Sequence, residues 1–230
     1  IGSCALQKNT TAGENVAIGQ QALQCNVTGI HNTGIGAGAL LKNTDCRNVA
    51  IGYHSLLCNT SGESNTAIGY NSLDANTTAD NNTAVGTCSL TCNTTGTPNV
   101  AIGSSALRDN TEGSNNVAVG RSVLKVSTTA SNNTGIGSFS LNANTSGHSN
   151  VAVGCGSLTV NTTGTNNVAI GKDSMDSNTT GSANTAVGVD SLQSNTIGHS
   201  NVALGYNSLW TNSEGFDNTA VGIEALVSNT

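Results

Sequence analysis

The chain has 230 residues, of which 9% are charged and 3% aromatic, with a single proline and a formal net charge of −6. Globular domains usually carry roughly 25% charged residues, so the composition excludes an ordinary globule. No basic stripe exists, which argues against a nucleic-acid partner, and no run of about 18 apolar residues occurs, so no membrane span is expected.

Asn, Thr, Gly, Ser and Ala dominate the chain in a strict order. A pattern close to Ile-Gly-x-x-Ser/Ala-Leu-x-x-Asn-Thr-x-Gly-x-x-Asn-Val/Thr-Ala starts at Ile1 and returns at Ile18, Ile35, Ile51, Ile68, Val85 and Ile102. It continues at Val119, Ile136, Val153, Ile170, Val187, Leu204 and Val221. Every step is 17 residues except Ile35 to Ile51, which is 16. Disordered chains share the low charge but have no reason to hold apolar residues in register. Seventeen residues are too few for a helix–turn–helix unit and suit one coil of a β-solenoid.

Within a coil, the anchoring Ile/Val is position zero. The first predicted strand is Asn-Val/Thr-Ala-Ile/Val-Gly, with Gly at +1 in every copy. A second is predicted around the Ser/Ala-Leu pair at +4 and +5, where Val123 and Met175 are the exceptions. The Asn-Thr-x-Gly segment from +8 has loop chemistry, because Gly and Asn tolerate positive φ and Asn bonds its own backbone. The short copy loses its residue in this loop, between Asn43 and Asn48. The charged residues, Lys172, Asp173, Asp176, Asp190, Glu214 and Glu224 among them, fall at variable positions, which read as the solvent face.

Stacking at about 4.8 Å per strand would make fourteen coils a rod of roughly 65 Å. Asn occupies +14 in every copy that reaches it: Asn15, Asn32, Asn48, Asn65, Asn82, Asn99, Asn116, Asn133, Asn150, Asn167, Asn184, Asn201 and Asn218. Stacked amides can bond above and below, as in the Asn ladders of cross-β assemblies. The expected fold is therefore all-β: a parallel β-solenoid, or β-roll, of about fourteen 17-residue coils, as one array over 1–230. Ala beside Ile/Val and Ala/Ser beside Leu restrict both faces of each strand. That asks for a partner chain on one face, and a trimer is favoured. Opening mid-strand and closing mid-loop, the array reads as a fragment of a longer fibre.

The segments Asn15–Gly19, Asn99–Gly103 and Asn167–Gly171 (Asn-Val-Ala-Ile-Gly) resemble the head repeats of trimeric autotransporter adhesins, as do Asn82–Gly86, Asn184–Gly188 and Asn218–Gly222 (Asn-Thr-Ala-Val-Gly). The fuller string from Asn65 to Thr78 is similar to repeats of tail-fibre-type proteins. The resemblance runs the length of the chain. It implies a trimeric, left-handed β-roll in an extracellular fibre on a cell or virion surface, with self as partner and no catalytic residues.

Cys4, Cys25, Cys46, Cys58, Cys88, Cys92 and Cys155 read as small fillers; Cys88 and Cys92 share a coil and could pair. His31, His54, His148 and His199 are scattered over variable positions, so no metal or cofactor is expected. No compact triad or carboxylate pair recurs, so the chain reads as non-catalytic. Tyr53 and Tyr70 share position +2 in consecutive coils, Tyr206 repeats it later, and Trp210 lies nearby. These four are candidate surface contacts for a glycan or host surface, the alternative function of an adhesin. A third reading is an ice-binding solenoid using Thr at +9. Asn9, Asn26, Asn59, Asn76, Asn93, Asn144, Asn161 and Asn178, all at +8, begin Asn-x-Ser/Thr sequons and are candidate glycosylation sites. Asn81 and Asn132 begin two more. An Asn held inside a ladder could not accept a glycan.

Overall fold

A computed structural model describes residues 1–229. The chain is all-β, and its coils fall into two compact units, the first Ile1–Asn115 and the second from Asn116 onward. The first contains β1 (Val16–Ile18), β2 (Thr33–Ile35), β3 (Val49–Ile51), β4 (Thr66–Ile68), β5 (Thr83–Val85) and β6 (Asn99–Ile102). The second contains β7 (Asn116–Val119), β8 (Thr134–Ile136), β9 (Val151–Val153), β10 (Val168–Ile170), β11 (Thr185–Val187), β12 (Val202–Leu204) and β13 (Thr219–Val221). Within each unit consecutive strands pair in parallel and in phase; Val16, Ala17 and Ile18 lie beside Thr33, Gly34 and Ile35, and Val168, Ala169 and Ile170 beside Thr185, Ala186 and Val187. Each unit is thus a parallel β-solenoid with one short strand per coil. Among the described residues no helix is long and apolar enough to cross a membrane.

The expected second strand is absent. The segment around Ser/Ala-Leu runs as alternating tight turns, and the Leu at +5 is left-handed, with φ of 52° at Leu23 and 51° at Leu158. The hydrogen bonds explain it. Leu23 N–H donates to Ala39 O of the next coil at 3.0 Å, then Gln24 N–H closes a turn onto Gln21 O at 3.2 Å. Cys25 N–H again reaches the next coil at Leu41 O, 2.9 Å, and Asn26 N–H turns back to Leu23 O at 3.2 Å. Successive N–H groups alternate between neighbour and self, which only a backbone that alternates handedness allows. Left-handed geometry costs a residue such as Leu roughly 1–2 kcal/mol. Burying the same side chain contributes about 1.5–3 kcal/mol, so burial wins.

The interior is thin. Per coil it holds the Leu at +5, the Ala/Ser at +4, the Ala or Gly before the anchor, and two Asn. The Leu file from Leu23 to Leu209, with Met175 in its place once, is fully buried. Both Ala/Ser and Leu of the turn segment point inward, so that segment offers no second apolar outer face. The anchors do: Ala17 is buried while Val16 and Ile18 are 45% and 42% exposed. In the strands, volume decides orientation. The methyl fits the narrow interior and the β-branched residues stay outside.

Gly at +1 is required by close approach. Gly69 has φ of +136°, and a Cβ there would lie 2.4 Å from Gly86 O of the next coil. The short copy is shortened where expected. Elsewhere the +8 Asn amide donates to a carbonyl three residues on, as Asn59 does to Gly62 O at 2.7 Å. Asn43 instead donates to Asp45 O, two residues on, at 2.6 Å. Asn32 meets the same carbonyl at 2.7 Å, so Asp45 takes over the glycine's role.

Candidate functional site

Two Asn files line one inner side of each unit. In the +8 file the ladder is amide to amide: Asn76 Nδ2 donates to Asn59 Oδ1 at 2.8 Å and Asn178 Nδ2 to Asn161 Oδ1 at 2.8 Å. The +14 file is built differently from the expectation. Each Oδ1 accepts the backbone N–H of the next Asn, as Asn48 does from Asn65 at 3.0 Å. From Asn15 to Asn201 each Nδ2 donates to a main-chain carbonyl, as Asn48 does to Gly62 O at 2.8 Å. The direct amide contact between these side chains is longer, 3.3 Å for Asn65 to Asn48. The reason is geometric: these Asn sit at the strand's entry, where the neighbouring backbone lies nearer than the neighbouring amide. Of the thirteen +14 residues, those from Asn32 to Asn201 are buried. They hold coils together and are not presented to a ligand.

The sequons at +8 are placed by the same ladder. Asn26, Asn59, Asn76, Asn93, Asn144, Asn161 and Asn178 are fully buried, and Asn9 is half-buried with its Nδ2 on Ala12 O at 2.9 Å. A candidate glycosylation site inside a ladder is therefore a correction for those seven: the folded coil has no space for a sugar on them.

The exposed feature repeated in every strand is its outward pair. Val16 and Ile18, Val202 and Leu204, and the corresponding Thr or Val and Ile or Val of the other strands leave the pleat on the side away from the Leu file. Ile68, Ile102, Ile136 and Ile170 are 36–41% exposed. Among the described residues no strand carries a charged residue. The result, in each unit, is a regular uncharged sheet face of Thr, Val and Ile side chains, with Leu204 once.

Variable positions pair from coil to coil. Tyr53 and Tyr70 stack with ring centres 5.5 Å apart and planes 10° apart, and His54 stacks on Tyr53 at 3.8 Å. The Oδ1 atoms of Asn71 and Asp74, in the same coil as Tyr70, are buried without a hydrogen-bond partner. Burial pushes the Asp74 carboxyl above its ordinary range, partly offset by His54 and Lys42. In the second unit Tyr206 has no ring contact among the described residues. Trp210 instead bonds Gln193, and His199 stacks on Phe216 at 5.2 Å. Arg121 lies over the Phe139 ring at 4.3 Å. In the first unit His31 Nε2 meets the Glu14 carboxylate, and Arg47 forms an ion pair with Glu63. Sequence reasoning left out the His31–Glu14 and Arg47–Glu63 pairs, although spacings of 17 and 16 were there to signal them.

The threonines at +9 hold neighbouring coils together: Thr60 Oγ1 donates to Thr77 O at 2.9 Å and Thr162 Oγ1 to Thr179 O at 3.0 Å. Their protons are spent within the stack, which removes the motive for an ice-binding file there. All seven cysteines are free, so Cys88 and Cys92 do not pair. Burial, with Asp109 nearby, pushes the Cys92 thiol up. Burial raises Asp176 too; a Thr159 hydrogen bond opposes this while Asp173 and Asp190 add to it. Among the described residues no cavity opens and no three His, Cys, Asp or Glu side chains gather as a metal site.

Comparison with protein-family models, with curated proteins and with solved structures finds no match to this chain.

Proposed function

We propose that the chain is a structural, non-catalytic repeat segment of an extracellular fibre or filament, assembled with copies of itself as a trimer through the outward face of its strands. The observation that carries this is the uncharged Thr/Val–Ile/Val face left open to solvent in each unit. Contiguous exposed apolar surface marks interaction sites. A standard interface covers about 800 Å² per partner, which several adjacent strands would supply. The resemblance to adhesin-head and tail-fibre repeats supports the trimer and the extracellular placement. Sedimentation equilibrium tests it. The expected result is a species of three chain masses, and a monomer at micromolar concentration would overturn the assembly.

A second reading, an adhesin surface for glycans, is favoured at one place. The Tyr53 and Tyr70 rings stack on each other and are about half exposed. Exposed aromatic rings suit a sugar's apolar face. Glycan-array binding lost on changing both tyrosines to Ala would establish it; an array blank for the unaltered protein would dismiss it.

A further inference from the structure

Ten Asn-x-Ser/Thr sequons fall into two structural classes. Those at +8 face the interior, and seven of them are fully buried. Their amide hydrogens are engaged: Asn76 Nδ2 donates to Ala79 O at 3.0 Å and to Asn59 Oδ1 at 2.8 Å, and Asn161 Nδ2 to Gly164 O at 3.1 Å and to Asn144 Oδ1 at 2.8 Å. Replacing one of these hydrogens by a sugar would remove a ladder bond and force a hexose-sized group into closed space.

Asn81 and Asn132 belong to the other class. Both stand at +13, one residue before the inner Asn file, and both are exposed. Both adopt left-handed backbone, with φ of 57° and 62°, a conformation Asn tolerates well. The hydroxyl residue that completes each sequon, Thr83 or Thr134, opens β5 or β8 on the outward face and is half-buried. The amide and the hydroxyl of each sequon are thus both reachable from solvent.

We propose that Asn81 and Asn132 are N-glycan acceptor sites of the folded chain, and that the seven buried sequons are not. The donor class is a lipid-linked oligosaccharide diphosphate. Asn Nδ2 forms a bond to the sugar C1, the C1–O bond to the diphosphate breaks, the lipid diphosphate leaves, and the amide proton passes to a base. Thr83 and Thr134 lie on the outward strand face through which the trimer is proposed to form, so the proposal concerns the folded single chain before that face is covered.

The test incubates the purified folded chain, at a dilution where sedimentation shows single chains, with a single-subunit oligosaccharyl transferase that reads Asn-x-Ser/Thr and with its lipid-linked donor. Free peptides spanning Asn76, Asn81, Asn132 and Asn161 run alongside. Mass mapping is expected to find glycan at Asn81 and Asn132 of the folded chain, and on all four peptides. Thr83→Val and Thr134→Val should each remove one glycan while leaving the circular dichroism unchanged, because Val fills the same position at Val49 and Val151. Glycan on any of the seven buried sequons of folded protein would overturn the proposal. So would an unmodified Asn81 and Asn132 when their free peptides are modified.

Discussion

Val123 is the one bulky side chain among the +4 positions, and Gly135 is one of two glycines in the file that otherwise holds Ala. The two belong together. A Cβ on Gly135 would lie 2.5 Å from Val123 Cγ1. Overpacking of a closed core costs about 1–3 kcal/mol. Gly135→Ala should therefore destabilise the second unit by about that amount, read from the denaturation midpoint. Val123→Ala added to it should recover most of the loss, since the pair would then match the Ala–Ala coils such as Ala106 with Ala118. Additive effects of the two changes would show that they do not share space. This compensation was visible as two exceptions in the letters, but nothing in the sequence said that the two positions touch. The left-handed Leu was illegible for a different reason. Leu rarely adopts positive φ, so local preference pointed to a strand, while the hydrogen-bond demands of the coils above and below decided otherwise.

At the level of the element, each coil is a strand, a turn segment and a loop tied by files of like residues. The Asn files were legible because only Asn offers a donor and an acceptor of that length at every step. Which backbone groups they bind was not, because that depends on how far apart strand and loop lie. Ser127 is the break in the +8 file. Its Oγ is buried without a partner, and Asn144 Nδ2 keeps only its own-coil bond to Gly147 O at 2.9 Å. Ser127→Asn should supply an acceptor for Asn144 and a donor for Ala130 O. Two bonds of ordinary strength predict a gain of about 1–2 kcal/mol, measured as a higher urea midpoint at unchanged slope. A lowered midpoint would mean that this coil is too tight for the amide.

For the whole molecule, the period revealed the architecture and the inward and outward roles remained hidden. Ala beside Ile/Val restricted both strand faces without telling which lies inside, and a coil of this size has room inside for Ala. The proposed assembly rests on the outward Ile/Val file, and substitution there addresses it directly. Ile68→Lys and Ile170→Lys place one charge on the open face of each unit, where the side chain is already 36–40% exposed. The variant should keep its circular dichroism and sediment as single chains; an unchanged trimer would place the interface elsewhere. The Asn file adds a direction to all this. Among the described residues the amide-to-amide bonds of the +8 ladder reach back, Asn93 to Asn76 at 3.1 Å and Asn195 to Asn178 at 2.9 Å, never forward. A chain made from its N-terminus therefore lays down every acceptor before the matching donor exists. Each finished coil is a mould waiting for the next to emerge, so the order of synthesis is also the order in which the ladder can be zipped.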